Sequence, residues 1–297
     1  MSVQAVLAEN AGGTLREAFL RCGRVLDEAC EIRIRQGLPL IIRTFEKEYI
    51  YEIAPTSAQI MAMMEKLCGH SLYAYDAEIR NGFVTIAGGH RVGICGRVTL
   101  DGGQIKTIKH ISGLSIRVAR QVLGAADAVM PHLLGNSVAN SIIISPPGCG
   151  KTTLLRDAAR QFSLRGYNVA VVDERSEIAG CHLGVAQMDL GPRTDVLDAV
   201  PKAAGMMMVL RALSPQVVVV DEIGGGDDVT AIENMVRSGV AVICTLHGRD
   251  VADIKGRAFL APLLWDGVFT RFVFMTDKPR PGKIAAVYDE NFDRVGE

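Results

Sequence analysis

The sequence lacks any apolar run long enough to cross a membrane as a helix. Such a span needs about 18 consecutive apolar residues, and the longest apolar stretches here are interrupted by Arg211, Pro215 and Asp221. Residues 1–9 carry no basic side chain, which argues against a secretory signal. We therefore predict a cytoplasmic protein that reaches a membrane only peripherally, through a partner protein.

A large excess of charge of either sign is missing as well. Lys and Arg together number 32 and Asp and Glu 33, so the formal net charge is -1. Bulk charge therefore favours neither nucleic acid nor an acidic surface as a partner. Hydrophobic residues make up 48% of the 297 positions, which is enough for a sizeable core in one large or two modest domains.

Paired cysteine motifs are absent. The seven cysteines form no Cys-x-x-Cys pair, and their number is odd. This pattern argues against a disulfide framework and against a zinc site. We expect most of these cysteines to be small buried side chains in a reducing compartment.

The part of the chain before about residue 136 predicts a small α+β domain. The segment Thr14–Glu17 fits a capping box and predicts a helix that runs to about Cys30. Asp101-Gly102 separates two alternating runs, which predicts a β-hairpin. The expected elements are strands at about 31–35, 39–44, 48–52, 83–87, 91–100 and 105–111, and a helix from about Ser57 to Cys68.

A different pattern begins at residue 141, where apolar strands alternate with helical stretches. The strands are expected at about 141–145, 168–173, 216–221, 240–245 and 269–275, and the prolines of 279–281 predict a loop. Runs of Ile and Val without alternation indicate strands that are buried on both faces. The pattern therefore predicts an α/β domain with a mainly parallel sheet over residues 137–297, preceded by the smaller domain of residues 1–136.

The first of these strands leads into a glycine-rich loop and then a helix. This order is the one that a phosphate-binding loop requires. The loop residues are Ser145, Pro146, Pro147, Gly148, Cys149, Gly150, Lys151, Thr152 and Thr153. The glycines let backbone N–H groups turn inward around a β-phosphate, and the helix N-terminus adds its positive dipole end. Lys151 would reach the β- and γ-phosphates of ATP, and the Thr152 hydroxyl would bind Mg²⁺. Ser145 stands where this motif usually has its first glycine.

Two acids end another buried strand. Val217–Val220 is followed by Asp221 and Glu222, an arrangement typical of a Walker B motif. Asp221 would hold the Mg²⁺ shell, and Glu222 could act as the general base that polarises an attacking water. Together with the phosphate loop, these acids predict a RecA-like P-loop ATPase domain.

Two further strand ends bring polar side chains to the same edge of the sheet. The strand at 168–173 ends in Asp173-Glu174-Arg175 and is a candidate to lie between the two motifs in space. The strand at 240–245 ends in Thr245-Leu246-His247. Ligands bind at such an edge in open α/β sheets, and we expect Thr245, and in some role His247, to sense the γ-phosphate.

These four motifs together resemble the type II and type IV secretion ATPases, which carry a Walker A loop, an acidic box, a Walker B Glu and a histidine box in this order. The match is closer to the family of stage III sporulation protein AA, and it covers nearly the whole chain. The stretches that carry it include Gly88–Gly93, Lys106–Ser112, Asp173–Gly180 and Gly191–Leu197. The zinc-binding cysteine cluster of many type II enzymes is absent.

The resemblance implies an ATP-hydrolysing hexameric motor in the sporulating mother cell, which works with an integral membrane channel or secretion protein toward the forespore. It also makes Glu174, in the acidic box, a candidate catalytic residue. In this architecture the nucleotide lies at a subunit boundary, where a neighbour's arginine completes the site. Arg117 and Arg120 are our candidates, because on a helix their spacing would place them on one face, and Arg175 is the alternative.

Two other functions stay open. One is a nucleic-acid-dependent RecA-like ATPase, since residues 80–120 hold seven basic side chains against one acid, although Phe83 alone offers an aromatic ring for stacking there. The scarcity of stacking rings makes nucleic acid the weaker choice of partner. The other is a scaffold that binds ATP without turnover, against which Glu222 argues. The seven basic residues are Arg80, Arg91, Arg97, Lys106, Lys109, Arg117 and Arg120.

Overall fold

The computed structural model describes residues 2–276 and 282–295, and the chain divides into two compact units, residues 1–120 and 121–297. The composition predicts a boundary near residue 136, so the observed boundary comes earlier. The reason lies in the intervening segment, whose side chains Val129 and Leu133 are buried in the same core as Phe162. The backbone N–H of Ala126 also donates to the carboxylate of Asp157 at 2.9 Å. This segment therefore packs as part of the second unit.

The N-terminal unit contains short helices and an antiparallel sheet. Its helices are α1 (Val3–Asn10), α2 (Gly13–Cys22), α3 (Arg24–Glu28), α4 (Ser57–Leu67) and α5 (Asp76–Arg80), with a 3₁₀ turn at Leu72–Tyr75. Its strands are β1 (Ala29–Arg35), β2 (Leu40–Thr44), β3 (Glu48–Tyr51), β4 (Phe83–Ile86), β5 (His90–Asp101) and β6 (Gln104–Arg117). The described strands lie in the order β3-β2-β1-β6-β5-β4, which confirms the α+β prediction.

The hairpin of β5 and β6 continues beyond the rest of this sheet. β4 pairs with β5 only as far as Gly93, and β1 pairs with β6 only from Gly113 onward. Between these points, among the described strands, β5 and β6 pair with each other alone. We call residues 95–110 the ribbon. Its apolar side chains include Val98, Leu100 and Ile105, which are 48%, 64% and 48% exposed.

The predicted capping box at Thr14 is wrong. Gly12 is the N-cap of α2, and the helix that follows ends at Cys22 because Gly23 has a left-handed φ of 43°. The capping box of this unit lies instead at Thr56, whose side chain and backbone both bond to Gln59. The Thr14 hydroxyl accepts a hydrogen bond from that same Gln59 at 3.1 Å, so it serves tertiary packing.

The C-terminal unit is an α/β layer structure. Its helices are α6 (Met130–Leu133), α7 (Lys151–Leu164), α8 (Lys202–Ala212), α9 (Gly226–Arg237), α10 (Val251–Lys255) and α11 (Ala261–Trp265), with a 3₁₀ turn at Ala258–Leu260. Its strands are β7 (Ser141–Ser145), β8 (Val169–Asp173), β9 (Thr194–Asp198), β10 (Val217–Val220), β11 (Ala241–His247), β12 (Arg271–Thr276) and β13 (Lys283–Tyr288). Within the ranges that the structure covers, no helix is both long and apolar enough to span a membrane.

The described strands of this unit form a sheet in the order β13-β12-β7-β11-β10-β8-β9. The neighbouring pairs are parallel except for β12 and β13, which are antiparallel. Ile142 and Ile144 are buried in one core and Ile143 in the other, so both faces of β7 are covered. This burial explains the continuous apolar runs and confirms the mainly parallel sheet.

Two strands of this sheet have no counterpart among the predicted ones. β9 has the sequence Thr-Asp-Val-Leu-Asp and is half-buried at the edge, so it lacks the apolar run of its neighbours. β13 lies at the opposite edge and consists of exposed and partly buried residues, apart from the buried Val287. An edge strand has one neighbour and less burial, so its sequence signal is weak. The loop predicted at 279–281 lies outside the described residues.

Candidate nucleotide-binding site

The phosphate loop joins β7 to α7 and owes its shape to two glycines. Gly148 and Gly150 have φ angles of 79° and 91°, in the left-handed region that residues with a Cβ rarely adopt. Ser145 is buried and needs no left-handed backbone, so serine stands in the place of the usual glycine without backbone strain. The N–H of Gly282 donates to the Cys149 carbonyl at 2.9 Å and supports the loop from outside.

Lys151 folds back onto the loop that carries it. Its Nζ donates to the carbonyl oxygens of Ser145 and Pro146 at 3.1 and 3.3 Å, and it lies 3.0 Å from His247 Nδ1. Burial lowers the pKa of Lys151, and the nearby charge of Asp221 opposes that shift. A cation held by neutral acceptors is ready to exchange them for the stronger acceptors of a phosphate.

The Asp221 carboxylate binds two hydroxyls. Thr152 Oγ1 donates to Oδ2 at 2.8 Å, and Thr245 Oγ1 donates to Oδ1. A carboxylate and a threonine hydroxyl are hard oxygen ligands of the kind that Mg²⁺ prefers. Thr152 and Asp221 are thus in contact, as a shared magnesium shell requires, and the two residues fit the ion.

Glu222 follows directly and turns out of the strand. Its φ of 46° is left-handed, and its carboxylate lies 3.3 Å from His247 Nε2 and 3.6 Å from Arg175 Nη1. An ammonium group can only donate, so His247 Nδ1 accepts from Lys151 and Nε2 carries the proton that points to Glu222. The neutral imidazole therefore connects the predicted phosphate-binding cation to the predicted base.

The strand that lies between the phosphate loop and the acids Asp221 and Glu222 is β11. The sequence pattern suggests β8 for that position. β11 pairs with β7 on one side and with β10 on the other, and β8 lies beyond β10. This order places His247 between Lys151 and Glu222. It also buries Thr245 completely, with its hydroxyl bonded to the Asp221 carboxylate. The sensing of a γ-phosphate by Thr245 stays a prediction.

Two residues of the acidic box have different surroundings: Asp173 is buried and bonded to backbone N–H groups, and Glu174 is partly exposed and forms an ion pair. Asp173 is buried, and its carboxylate accepts the backbone N–H groups of Glu177, Ile178 and Ala179 at 2.8–3.0 Å. Burial raises the pKa of Asp173 to about 6, against the opposing effect of these hydrogen bonds. Glu174 forms an ion pair of 2.6 Å with Lys202. Asp173 thus shapes the loop at residues 174–180.

Arg156 is a site residue that the sequence reasoning missed. It lies on α7, is buried, and donates through Nη2 to the Glu177 carbonyl at 2.7 Å and through Nε to the Ile178 carbonyl. It therefore ties the helix of the phosphate loop to the loop at residues 174–180. The available signal was a charged residue among the apolar positions of a helix, since Leu155 and Ala159 beside it are fully buried.

The two candidate arginines of the N-terminal unit have different surroundings. Arg117 is exposed at the end of β6, and the residues up to Arg120 are not helical, so the helical spacing we assumed is wrong. Arg120 is half-buried, and its Nη2 donates to the carbonyls of Asp27 and Ala29 at 2.7 and 3.0 Å. Arg120 therefore stabilises its own unit.

Comparison with solved structures defines the class of fold. The X-ray structure of the ATPase DotB of Legionella pneumophila aligns with a TM-score of 0.56 at 16% identity, over 86% of this chain and 75% of that one. The crystal structure of the pilus retraction motor PilT with bound ADP aligns with a TM-score of 0.58 at 14% identity, over 92% and 78% of the two chains. At these identities the likeness concerns the fold alone, which this chain shares with DotB and PilT.

The sequence itself gives the family. A family model described as sporulation stage III, protein AA, matches residues 3–295. Stage III sporulation protein AA of Bacillus subtilis (strain 168) is 42% identical over 267 residues, which is 88% of this chain and 87% of that protein. The chain belongs to the sporulation stage III protein AA family, and the predicted resemblance is confirmed.

The role of Asp173 as a scaffold can be tested by amide hydrogen exchange. We expect Asp173→Ala to lower the free energy of local opening at residues 177–179 by about 3 kcal/mol, less than three full charged hydrogen bonds because the buried charge is itself costly. Amides of α7 away from this loop should change little. Asp173→Asn keeps one acceptor oxygen, so its free energy of local opening at residues 177–179 should lie between those of wild type and Asp173→Ala. Equal loss of protection along the whole unit would contradict a local role.

Proposed function

We propose that this chain is an ATPase that binds ATP with Mg²⁺ at the phosphate loop and hydrolyses the terminal phosphoanhydride bond. One observation carries the proposal. Lys151 follows β7, whereas Asp221 and Glu222 follow β10. The strand between β7 and β10 is β11, and its residues Thr245 and His247 contact all three side chains or their backbone. Binding residues and a base are thereby held in one connected group.

In the proposed complex, the backbone N–H groups from Gly148 to Thr153 and the N-terminus of α7 surround the β-phosphate. Lys151 leaves the carbonyls of its own loop and binds the β- and γ-phosphate oxygens. Thr152 and Asp221 hold Mg²⁺, which supplies charge neutralisation on those oxygens. The remaining loop positions, Ser145, Pro146, Pro147 and Cys149, set the path of the backbone.

Glu222 is the proposed general base. Its carboxylate orients a water and accepts a proton from it, as the water oxygen forms a bond to the γ-phosphorus. The bond between that phosphorus and the β–γ bridging oxygen breaks, so that ADP and phosphate are the products. His247, with its proton on Nε2, holds the carboxylate in the resting site and is a further candidate to contact the γ-phosphate. Glu174, paired with Lys202, is proposed to act through the position of the loop that carries Arg175.

Substitution of the base tests this proposal. We expect Glu222→Gln to bind ATP nearly as wild type does while turnover falls by about 10²-fold or more, because the amide cannot accept the proton. Lys151→Ala is the matched variant, and it should lose turnover through the loss of the phosphate-binding cation. The measurements are ATP affinity by fluorescence titration and phosphate release under single-turnover conditions. Wild-type protein that binds ATP and releases no phosphate would establish the scaffold alternative.

A wider role follows from the family and the fold. We propose a motor that assembles as a homo-oligomer, as a hexamer in its active form, and acts in the sporulating mother cell on a channel toward the forespore. In this assembly an arginine of one copy completes the site of its neighbour. Arg117 is the better candidate because it is exposed, whereas the carbonyl contacts of Arg120 occupy its guanidinium.

Mixing of variants tests the shared site. Arg117→Ala should lower turnover by roughly 10³-fold without loss of ATP binding, since a cation supplied in trans offsets charge on the transferred phosphoryl group. Mixing Arg117→Ala with Lys151→Ala protein should restore part of the activity, because some boundaries then pair an intact loop with an intact arginine. Arg120→Ala is the control, and it should lower the melting temperature without such rescue. Turnover independent of protein concentration, with no rescue on mixing, would refute the shared site.

We further propose that the ribbon contacts the cytoplasmic face of an integral membrane protein. Val98, Leu100 and Ile105 leave apolar surface exposed on it, and the strand edges there have no described neighbour. The three basic residues Arg97, Lys106 and Lys109 outnumber the one acid, Asp101, so an acidic partner surface is complementary. The polar turn at 101–104 makes insertion of the tip into lipid unfavourable.

Sedimentation with membranes of the sporulating host tests the ribbon contact. Wild-type protein should co-sediment with native membranes, and Leu100→Asp should reduce the bound fraction, because a charge replaces exposed apolar surface in the contact. Ile50→Asp, at an exposed position of β3 (58% exposed), is the matched control and should bind normally. Protease treatment of the membranes should abolish binding. Equal binding to protein-free vesicles of the same lipids would contradict a protein partner.

A further inference from the structure

Strand pairing between β10 and β11 stops immediately before the two acids. The last paired residues are Val220 and Cys244, and the next residue of β11 is Thr245. This residue takes over the contacts to the chain that leaves β10. Its hydroxyl donates to the Asp221 carboxylate and accepts the backbone N–H of Glu222 at 2.7 Å, and its carbonyl accepts the N–H of Ile223 at 3.0 Å.

The single O–H donor of Thr245 is used by these contacts. Thr245 has no exposed surface, and its hydroxyl serves at once as the donor to one acid and the acceptor from the next. A γ-phosphate in the loop could be reached only if these bonds were given up. The resting geometry therefore favours a role other than direct contact with the nucleotide.

The backbone of Glu222 is what these contacts hold. Its φ of 46° is unfavourable for a residue with a Cβ, so a left-handed turn at this position persists only if its surroundings determine it. The hydrogen bonds on its own N–H and on that of Ile223 both end on Thr245. The same residue thus sets the turn that swings the Glu222 side chain toward His247 and Arg175.

We propose that Thr245 is a positioning residue for hydrolysis, which orients Asp221 toward Mg²⁺ and Glu222 toward the attacking water through one hydroxyl. This inference rests on the proposed ATPase function. It predicts that loss of the hydroxyl separates binding from chemistry. The nucleotide should still bind to the phosphate loop, but Asp221 and Glu222 would no longer be held in fixed positions relative to each other.

The test compares Thr245→Val, which has nearly the same shape without the hydroxyl, with Thr245→Ser, which keeps it. For Thr245→Val we expect kcat to fall by about 10²-fold, as for a displaced catalytic group, while ATP affinity without Mg²⁺ stays near wild type and the half-saturating Mg²⁺ concentration rises. Thr245→Ser should retain most of kcat. Thermal melting confirms that each variant is folded, and Thr245→Cys replaces the valine variant if the latter does not fold.

The kcat values of the two variants test the positioning role of Thr245. Unchanged kcat in folded Thr245→Val, or a loss in Thr245→Ser equal to that in Thr245→Val, would overturn the positioning role. Failure of the ATPase proposal is distinguishable, because wild-type protein would then show no phosphate release. In that case the Mg²⁺ dependence of ATP binding still tests Thr245, and an identical dependence in wild type and Thr245→Val would overturn the inference.

Discussion

The Asp221 carboxylate is the contact on which the site depends. One of its oxygens binds the Thr152 hydroxyl of the phosphate loop and the other binds the Thr245 hydroxyl of the central strand. Three sheet strands end near this point, and the half-buried side chain of Asp221 connects their ends. A charged group with both oxygens occupied tolerates little displacement, because leaving either hydroxyl unpaired in the interior is costly. The proposed Mg²⁺ site and the turn at Glu222 both depend on the position of this carboxylate.

In the structure, the charged groups of the candidate site are bonded to one another and to the protein backbone. The Lys151 ammonium is bound to the carbonyl of Ser145 and to the imidazole of His247, and that imidazole also holds Glu222. The binding cation and the base are therefore each occupied by protein groups of moderate strength. A phosphate offers Lys151 better acceptors than a carbonyl or an imidazole. In the proposed complex, nucleotide binding would therefore release His247 and with it one of the two groups that contact Glu222. Under the proposed function, His247 would couple nucleotide binding to the activation of Glu222.

Local chemistry could be predicted from the sequence, and spatial order could not. The glycines of the phosphate loop and the unbroken Val and Ile strands each follow from a rule about one residue or one strand, and both expectations agree with the structure. Which strand lies between β7 and β10 depends on how the helices pass over the sheet, and no local pattern encodes that path. The misplaced capping box has a related cause, since Thr14 and Thr56 carry similar signals and only the contact with Gln59 decides between them.

The acidic box illustrates why a motif does not assign roles by itself. Its three residues are adjacent in sequence, yet burial separates them. Asp173 is buried, and its carboxylate accepts three backbone N–H groups. Glu174 forms an ion pair with Lys202. Of the three residues, only Arg175 contacts Glu222. Arg156 holds the same loop from α7, the helix that begins at Lys151. A shift of that helix on nucleotide binding would therefore be passed to the loop and, through Arg175, to the second group that holds the base. In the proposed mechanism, the acidic box would therefore connect a movement of the phosphate loop to the position of Glu222.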